Sequence, residues 1–455
     1  MAGVTLSRWT MSYFALALLA LLTAEGLMAA GYGFPSAPLE APETLVLVHV
    51  VAIGWLSLLL CGALFQFVPV LIARQLYSDR LPLPTLVCLV AGLIALLCGF
   101  LQLAGHVPPD VPCFPAAALL LSLGFALTIW NLGCTLWAAR PLSLPACFVV
   151  VGLFSLVATV TLGVVFTLTL GGTTANATLL DLTTSGLPIH AIAGLGGWLT
   201  FTAIGVSYRL LAMFMLAPEL EGRTTRGALV FGTAALAVAI LGGTAVICHA
   251  IGPANSLAMV LVAAGVLGLA ALALYGHDIR HLYRARRRRK IELNSRMAGV
   301  AIANLAAAAV GFAILTGIGA LDRFVGAIAF LAGFGWLTGL GLAKLYKIVA
   351  FLTWLECYGP VLGKTPTPRV QDLVVEPRAD KWFLLYFAAV WTATLALLLE
   401  FPPAFRVAAA VMAIATAGIV SEIARTRRLA NVTAERRLPE GTRMPRLLLS
   451  SPKPT

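Results

Sequence analysis

Long apolar stretches alternate with short polar ones along the chain, and the apolar stretches set its architecture. Runs of roughly 20 residues or more, the length a helix needs to cross a bilayer core, fall at 10–32, 44–73, 84–106, 114–138, 144–170, 187–215, 226–250, 254–276, 297–320, 323–352, 381–400 and 403–424. None has the period-two alternation of a barrel strand, and a helix satisfies every backbone amide within itself. The pattern therefore predicts an all-α integral membrane protein with twelve transmembrane helices, numbered here as spans 1 to 12. The first run is long enough to span alone and no small-residue cleavage pattern follows it, so it is expected to remain as a helix.

The polar connections alternate in charge. Every second one is rich in Lys and Arg: RQLYSDR, AARP, PELEGRTTR, HDIRHLYRARRRRKIELNSR and GKTPTPRVQDLVVEPRADK, with ARTRRLANVTAERR in the tail. The others are poor in Lys and Arg and carry Glu40, Glu43, Asp110, Asp181, Asp322 and Glu400. Lys and Arg concentrate on cytoplasmic loops. Both termini are thus expected in the cytoplasm, with even-numbered spans running from outside to inside. Residues 1–425 read as one membrane domain, and 426–455 as a basic, poorly ordered cytoplasmic tail.

Composition agrees with this picture. The 455 residues are 60% hydrophobic and only 11% charged, whereas a soluble domain is about one quarter charged. The net charge of +12 is explained by topology, so the expected partner is the lipid bilayer and not nucleic acid. The densest run, RARRRRK at 284–290, reads as a solvated loop facing anionic lipid. The eight cysteines form no CxxC pair and mostly sit inside apolar runs, as small buried hydrophobes. No Walker loop, GxSxG elbow or zincin motif lies in a suitable context, which argues against nucleotide-driven pumping and hydrolysis.

A Gly-Trp-Leu core recurs three times. It lies in HVVAIGWLSLLLCGALFQFVPVL from His49, in GWLTFTAIGVSYRL from Gly197 and in GWLTGLGLAKLYKI from Gly335. Trp55, Trp198 and Trp336 fall at near-equal intervals, four spans apart, on spans 2, 6 and 10. Downstream, Gly62 and Gly205 align with Ala343. Phe65, Tyr208 and Tyr346 align next, followed by Gln66, Arg209 and Lys347. Small residues at fixed helical spacing let helices approach closely. The repeat predicts three four-helix arcs around a pseudo-threefold axis along the membrane normal. The alternative is chance recurrence of common residues in apolar helices.

Six histidines remain to be explained. His277 and His281 are expected in a cytoplasmic loop past span 8. His49, His190 and His249, on spans 2, 6 and 7, are expected near the outer face at similar depth, where ionisable residues mark function and imidazoles bind metals. Copper, iron and zinc all suit such ligands. Glu25 on span 1 is a candidate acceptor for a ligand's second ring nitrogen, and His106, ending span 3 beside Pro108 and Asp110, is a further one. Cys248 offers a soft ligand or a buried structural thiol. Each histidine alone can equally be a hydrogen-bonded packing residue.

Twelve spans, three arcs and histidines on spans 2, 6 and 7 make the chain resemble subunit I of the haem-copper oxidase superfamily, which includes the cbb3-type oxidases and bacterial nitric oxide reductases. The segment from His49 is similar to the second helix of cbb3-like members. A looser comparison is with NnrS-type proteins, twelve-span haem- and copper-associated membrane proteins linked to nitric oxide. The resemblance implies haem or copper as cofactor and a redox function in O2 or NO handling. It implies a bacterial inner membrane, an electron donor and other membrane subunits as partners. It puts His49 at a haem-ligand position and His190 and His249 at copper positions. The chain departs from the family in two places: span 10 has no histidine, and span 7 has one where the family has an adjacent pair. Oxygen reduction at a haem-copper pair is therefore not expected, and an oxidoreductase activity stays open. Two other functions fit the same residues. One is copper transport or handling, with Gln66, Met213 and Met215 along an inward path. The other is a metal-free structural or assembly subunit.

Overall fold

A computed structural model of the chain describes residues 8–252 and 256–450. Among these residues every regular element is helical. Twelve helices are long and apolar enough to cross a membrane: Thr10–Ala30, Pro42–Leu71, Pro82–Leu103, Cys113–Trp137, Leu144–Leu170, Leu187–Met215, Arg223–Ile247, Leu257–Arg284, Leu293–Gly317, Leu321–Val361, Glu376–Leu398 and Pro402–Arg427. These are spans 1 to 12. The expected start of span 8, residue 254, and the last five residues of the tail lie outside the described residues.

Span 8 runs on past residue 276 to Arg284, so His277 and His281 ride on its last turns, exposed, and not in a loop. Apolar content reports membrane depth; the helix itself continues wherever its polar side chains find partners. Asp278, 3% exposed, accepts hydrogen bonds from Tyr208 (3.0 Å), Thr224 (2.5 Å) and Thr225 (2.8 Å). Ser207 and Tyr275 share another of 2.7 Å. These bonds tie spans 6, 7 and 8 together at their Lys/Arg-rich end.

The chain divides into two compact units, Met1–Gln66 with Lys290–Thr455, and Phe67–Arg289. In the first, span 1 packs on spans 2 and 12, span 9 on span 10, and span 10 on spans 11 and 12. In the second, spans 3 to 6 pack each on the next, and spans 7 and 8 pack together and against span 6.

The three Gly-Trp-Leu cores share a local structure. Each lies in a widened π-helical segment inside its span: Val50–Ser57, Ile192–Phe201 and Leu331–Thr338. Such widening is rare and usually confined to single turns. Trp55, Trp198 and Trp336 are all buried. A hydroxyl residue follows each Trp by two positions (Ser57, Thr200, Thr338). In two copies it donates to the carbonyl five residues back, Ser57 to Ala52 and Thr338 to Gly333, at 2.8 and 2.9 Å.

The packing of the downstream positions also recurs. A Cβ on Gly62 would meet the Cβ of Tyr13 at 2.6 Å, and one on Gly205 would meet the Cβ of Phe148 at 2.5 Å. The same two aromatics contact the next repeat position: Tyr13 meets Phe65 edge to face, centroids 5.9 Å apart, and Phe148 meets Tyr208 at 5.6 Å. Thus span 1 seats on span 2 as span 5 seats on span 6. In the third copy Ala343 replaces the glycine, and Tyr346 contacts Phe383 of span 11 instead.

The basic tail has more packing than its composition announces. Span 12 continues to Arg427, which is 3% exposed and bonds Glu356 of span 10 at 2.7 Å. It also donates to the carbonyls of Arg446 (2.9 Å) and Leu449 (3.3 Å). Leu429 and Val432 are buried with Cys357, Tyr358 and Leu373. Nearby, Arg378 makes two 2.6 Å bonds to Glu422 and one of 2.9 Å to Asn431.

At the opposite end, Arg323 makes two bonds of 2.6 Å to Glu400, which hold the Glu400 carboxyl below its usual range. A depressed carboxyl stabilises the fold at neutral pH, and that contribution is lost as pH falls through the depressed value. The pair is exposed and screened by salt. Thermal melts at low salt should show a small deficit for Glu400→Gln at pH 7 that closes on acidification; an unchanged deficit at low pH would contradict this.

Candidate functional site

His49 is the last α-helical residue before the π segment of span 2. Its Nδ1 lies 2.8 Å from the Leu45 carbonyl. A carbonyl can only accept, so Nδ1 carries a proton. Metal-ligating histidines commonly have this arrangement, with one ring nitrogen fixed by a carbonyl and the other presented to the metal. His49 is half-buried. A ring held in this way is one that could hold a metal or haem iron.

In the core of the same unit, side chains converge on the π segment of span 10. Three consecutive carbonyls each receive a donor: Gly333 from Thr338 (2.9 Å), Phe334 from the Tyr386 hydroxyl (3.0 Å) and Gly335 from the Asn304 amide (3.1 Å). The Trp55 indole donates to Thr338 at 2.8 Å, and that of Trp391 to Asn304 at 3.0 Å. Glu25, fully buried on span 1, accepts from Thr416 of span 12 at 2.9 Å through Oε1, while Oε2 has no hydrogen-bond partner. Sequence reasoning singled out Glu25 but missed Asn304, Tyr386 and the buried Lys344 of span 10. The available signal was a polar or ionisable residue inside an apolar run, and a glycine directly precedes each Trp where the helix widens.

In the other unit, His190 sits just before the π segment of span 6, with its ring 5.3 Å from that of Phe166. His249, expected inside span 7, lies beyond its end. The helix stops at Ile247. The His249 amide bonds Val246 (3.0 Å) and the Ala250 amide bonds Ala245 (2.8 Å), while His249 itself is left-handed at φ 55°. That is the helix-ending motif usually built on glycine. The His249 side chain is 65% exposed and faces Asp181 at 3.9 Å. Ile189 and Ile247 share one apolar cluster with Cys248 packed against it, so the residues flanking the two histidines meet. The ring of His249 nevertheless points to an exposed carboxylate. His106 is exposed beyond the end of span 3. Among the described residues no three His, Cys, Asp or Glu side chains are grouped to hold a metal ion.

The geometry thus yields one histidine whose ring is fixed by a backbone carbonyl and a buried polar seam in the same unit, on twelve apolar helices. Comparison with family models and with curated proteins finds no match to this chain.

Proposed function

We propose that the protein is a multi-pass haem-binding protein built on an oxidase-like scaffold, in which His49 would hold the haem iron. The reading includes a bacterial inner membrane and cytoplasmic termini, as the charge of the connections suggests. The observation that supports it is the 2.8 Å hydrogen bond from the His49 ring Nδ1 to the Leu45 carbonyl, which fixes the ring's orientation on span 2. Widened segments on spans 2, 6 and 10 add support, because π-type turns gather at functional sites. Haem would supply an iron able to take a small ligand such as O2 or NO. The chain's own part is to orient the His49 ring and keep its surroundings apolar. Span 10 offers no histidine, so the reading favours ligand handling over bis-histidine electron transfer. Copper at His190 and His249 is the less favoured version, because His249 faces Asp181.

Purified protein should contain iron and absorb in the Soret region. His49→Ala should abolish that absorption while the protein still purifies as a helical, monodisperse species, and His190→Ala and His249→Ala should keep it. Iron-free protein with a bare aromatic spectrum would overturn the reading. A second reading is a metal-free assembly subunit; among the described residues no three His, Cys, Asp or Glu side chains are grouped. Wild-type complex formation by the triple alanine variant at 49, 190 and 249 would mark it.

A further inference from the structure

The face formed by spans 4 and 5 carries a groove of about 960 Å³, lined almost wholly by apolar atoms. On span 4 it runs from Ser122 to Ala138, about 24 Å at 1.5 Å per residue. One leaflet's hydrocarbon is roughly 15 Å deep, so an acyl chain can lie in the groove along its whole length. At the Lys/Arg-rich end the rim is aromatic. Tyr77, Trp130 and Trp137 are 58, 60 and 72% exposed, and Tyr77 meets Trp130 edge to face. Exposed indoles and phenols favour the membrane–water interface, which marks this end as the headgroup level.

The rim is fixed by hydrogen bonds. Asn131 of span 4 receives the Ser78 amide and donates to the Ser78 carbonyl, each at 3.0 Å. Thr135 accepts from the Tyr77 amide at 3.0 Å. Both residues are buried, and they clamp the connection between spans 2 and 3 over the end of span 4. That connection carries Arg74 and Arg80, both exposed, with Asp79 beside them. From the other side, the Arg140 guanidinium lies over the Trp137 ring. Arg140 therefore stands against the groove's aromatic rim, and the connection that supplies Tyr77 to the rim carries two more cations and one carboxylate.

We infer that this groove is a binding site for one anionic phospholipid of the leaflet on the Lys/Arg-rich side, its acyl chain between spans 4 and 5 and its phosphate at Arg140. The match is one of charge and length: basic residues at headgroup level recognise anionic lipid, and the groove below them accepts hydrocarbon. The inference is independent of any haem.

The test uses full-length, delipidated protein in detergent, with phosphatidylglycerol or phosphatidylcholine of the same chains added and retention read by native mass spectrometry. Wild type should prefer phosphatidylglycerol. Arg140→Gln should reduce that preference about fivefold, the size expected of one basic residue near an anionic surface. Gly133 lines the groove, and a Cβ there would meet nothing within 4 Å. Gly133→Leu should therefore fill the groove and weaken both lipids without lowering the melting temperature. Inorganic phosphate should not compete. Equal retention of the two lipids by wild type, or a preference untouched by Arg140→Gln, would leave only a general lipid belt and overturn the site. Competition by phosphate would also overturn it, as a free-anion site.

Discussion

Arg427→Ala is expected to destabilise the protein by about 3–5 kcal/mol, the cost of leaving a buried charge without its partner. Arg427 and Glu356 are 3 and 5% exposed and 2.7 Å apart, so water cannot replace the lost guanidinium at Glu356. The same substitution frees the carbonyls of Arg446 and Leu449, which releases the tail from the end of span 12. Two readouts should move together: a lower melting temperature in detergent, and faster proteolytic trimming of residues 428–450. Glu356→Gln should cost less, because the amide oxygen still accepts from Arg427 and the tail carbonyls keep their donor. Replacing both partners by Met and Leu should recover part of the loss, since an apolar pair leaves no buried charge. A single alanine variant that melts like wild type would show the pair to be solvated.

Gly205→Leu is the second large effect. A Cβ at this position would stand 2.5 Å from the Cβ of Phe148 and 2.8 Å from the Pro145 carbonyl oxygen. One is fixed to the backbone and the other belongs to it, so neither can retreat by a rotamer change. Overpacking a tight contact costs roughly 1–3 kcal/mol, and the rigidity here puts the loss at about the upper end. Gly62→Leu meets the Tyr13 Cβ at 2.6 Å and should lose a similar amount, because the two sites repeat one packing arrangement. Gly26→Ala, also inside a span but with nothing within 4 Å of its Cβ, serves as the neutral control. Denaturation of the three variants in the same detergent gives the comparison. Equal stability of Gly205→Leu and wild type would mean that span 5 does not seat on span 6 as described.

Of the candidate site, the sequence showed which residues to examine and little of what each does. Glu25 stood out as an acid inside an apolar run, and it is fully buried. Its partner Thr416 lies on the last span, beyond any local pattern. His49, His190 and His249 looked alike, each near the end of an apolar run. The structure separates them by helical phase and by helix termination. His49 turns its Nδ1 to Leu45, His190 lies against Phe166, and His249 falls past a helix end that came earlier than hydropathy implied. Arg427 fell in the tail that read as poorly ordered, because its partner Glu356 is far away in sequence.

The sequence by itself determined the twelve helices, their class and the recurrence of Gly-Trp-Leu on spans 2, 6 and 10. Those properties depend on local apolar length and on spacing along one chain, and both can be read without knowing the neighbours. Only the tertiary structure decided where the helices widen, which carbonyls of span 10 take side-chain donors, and which charges are buried in pairs. These depend on groups brought together from distant positions, whose choice of partner is set by packing within each unit and by the cost of leaving a buried polar atom unbonded.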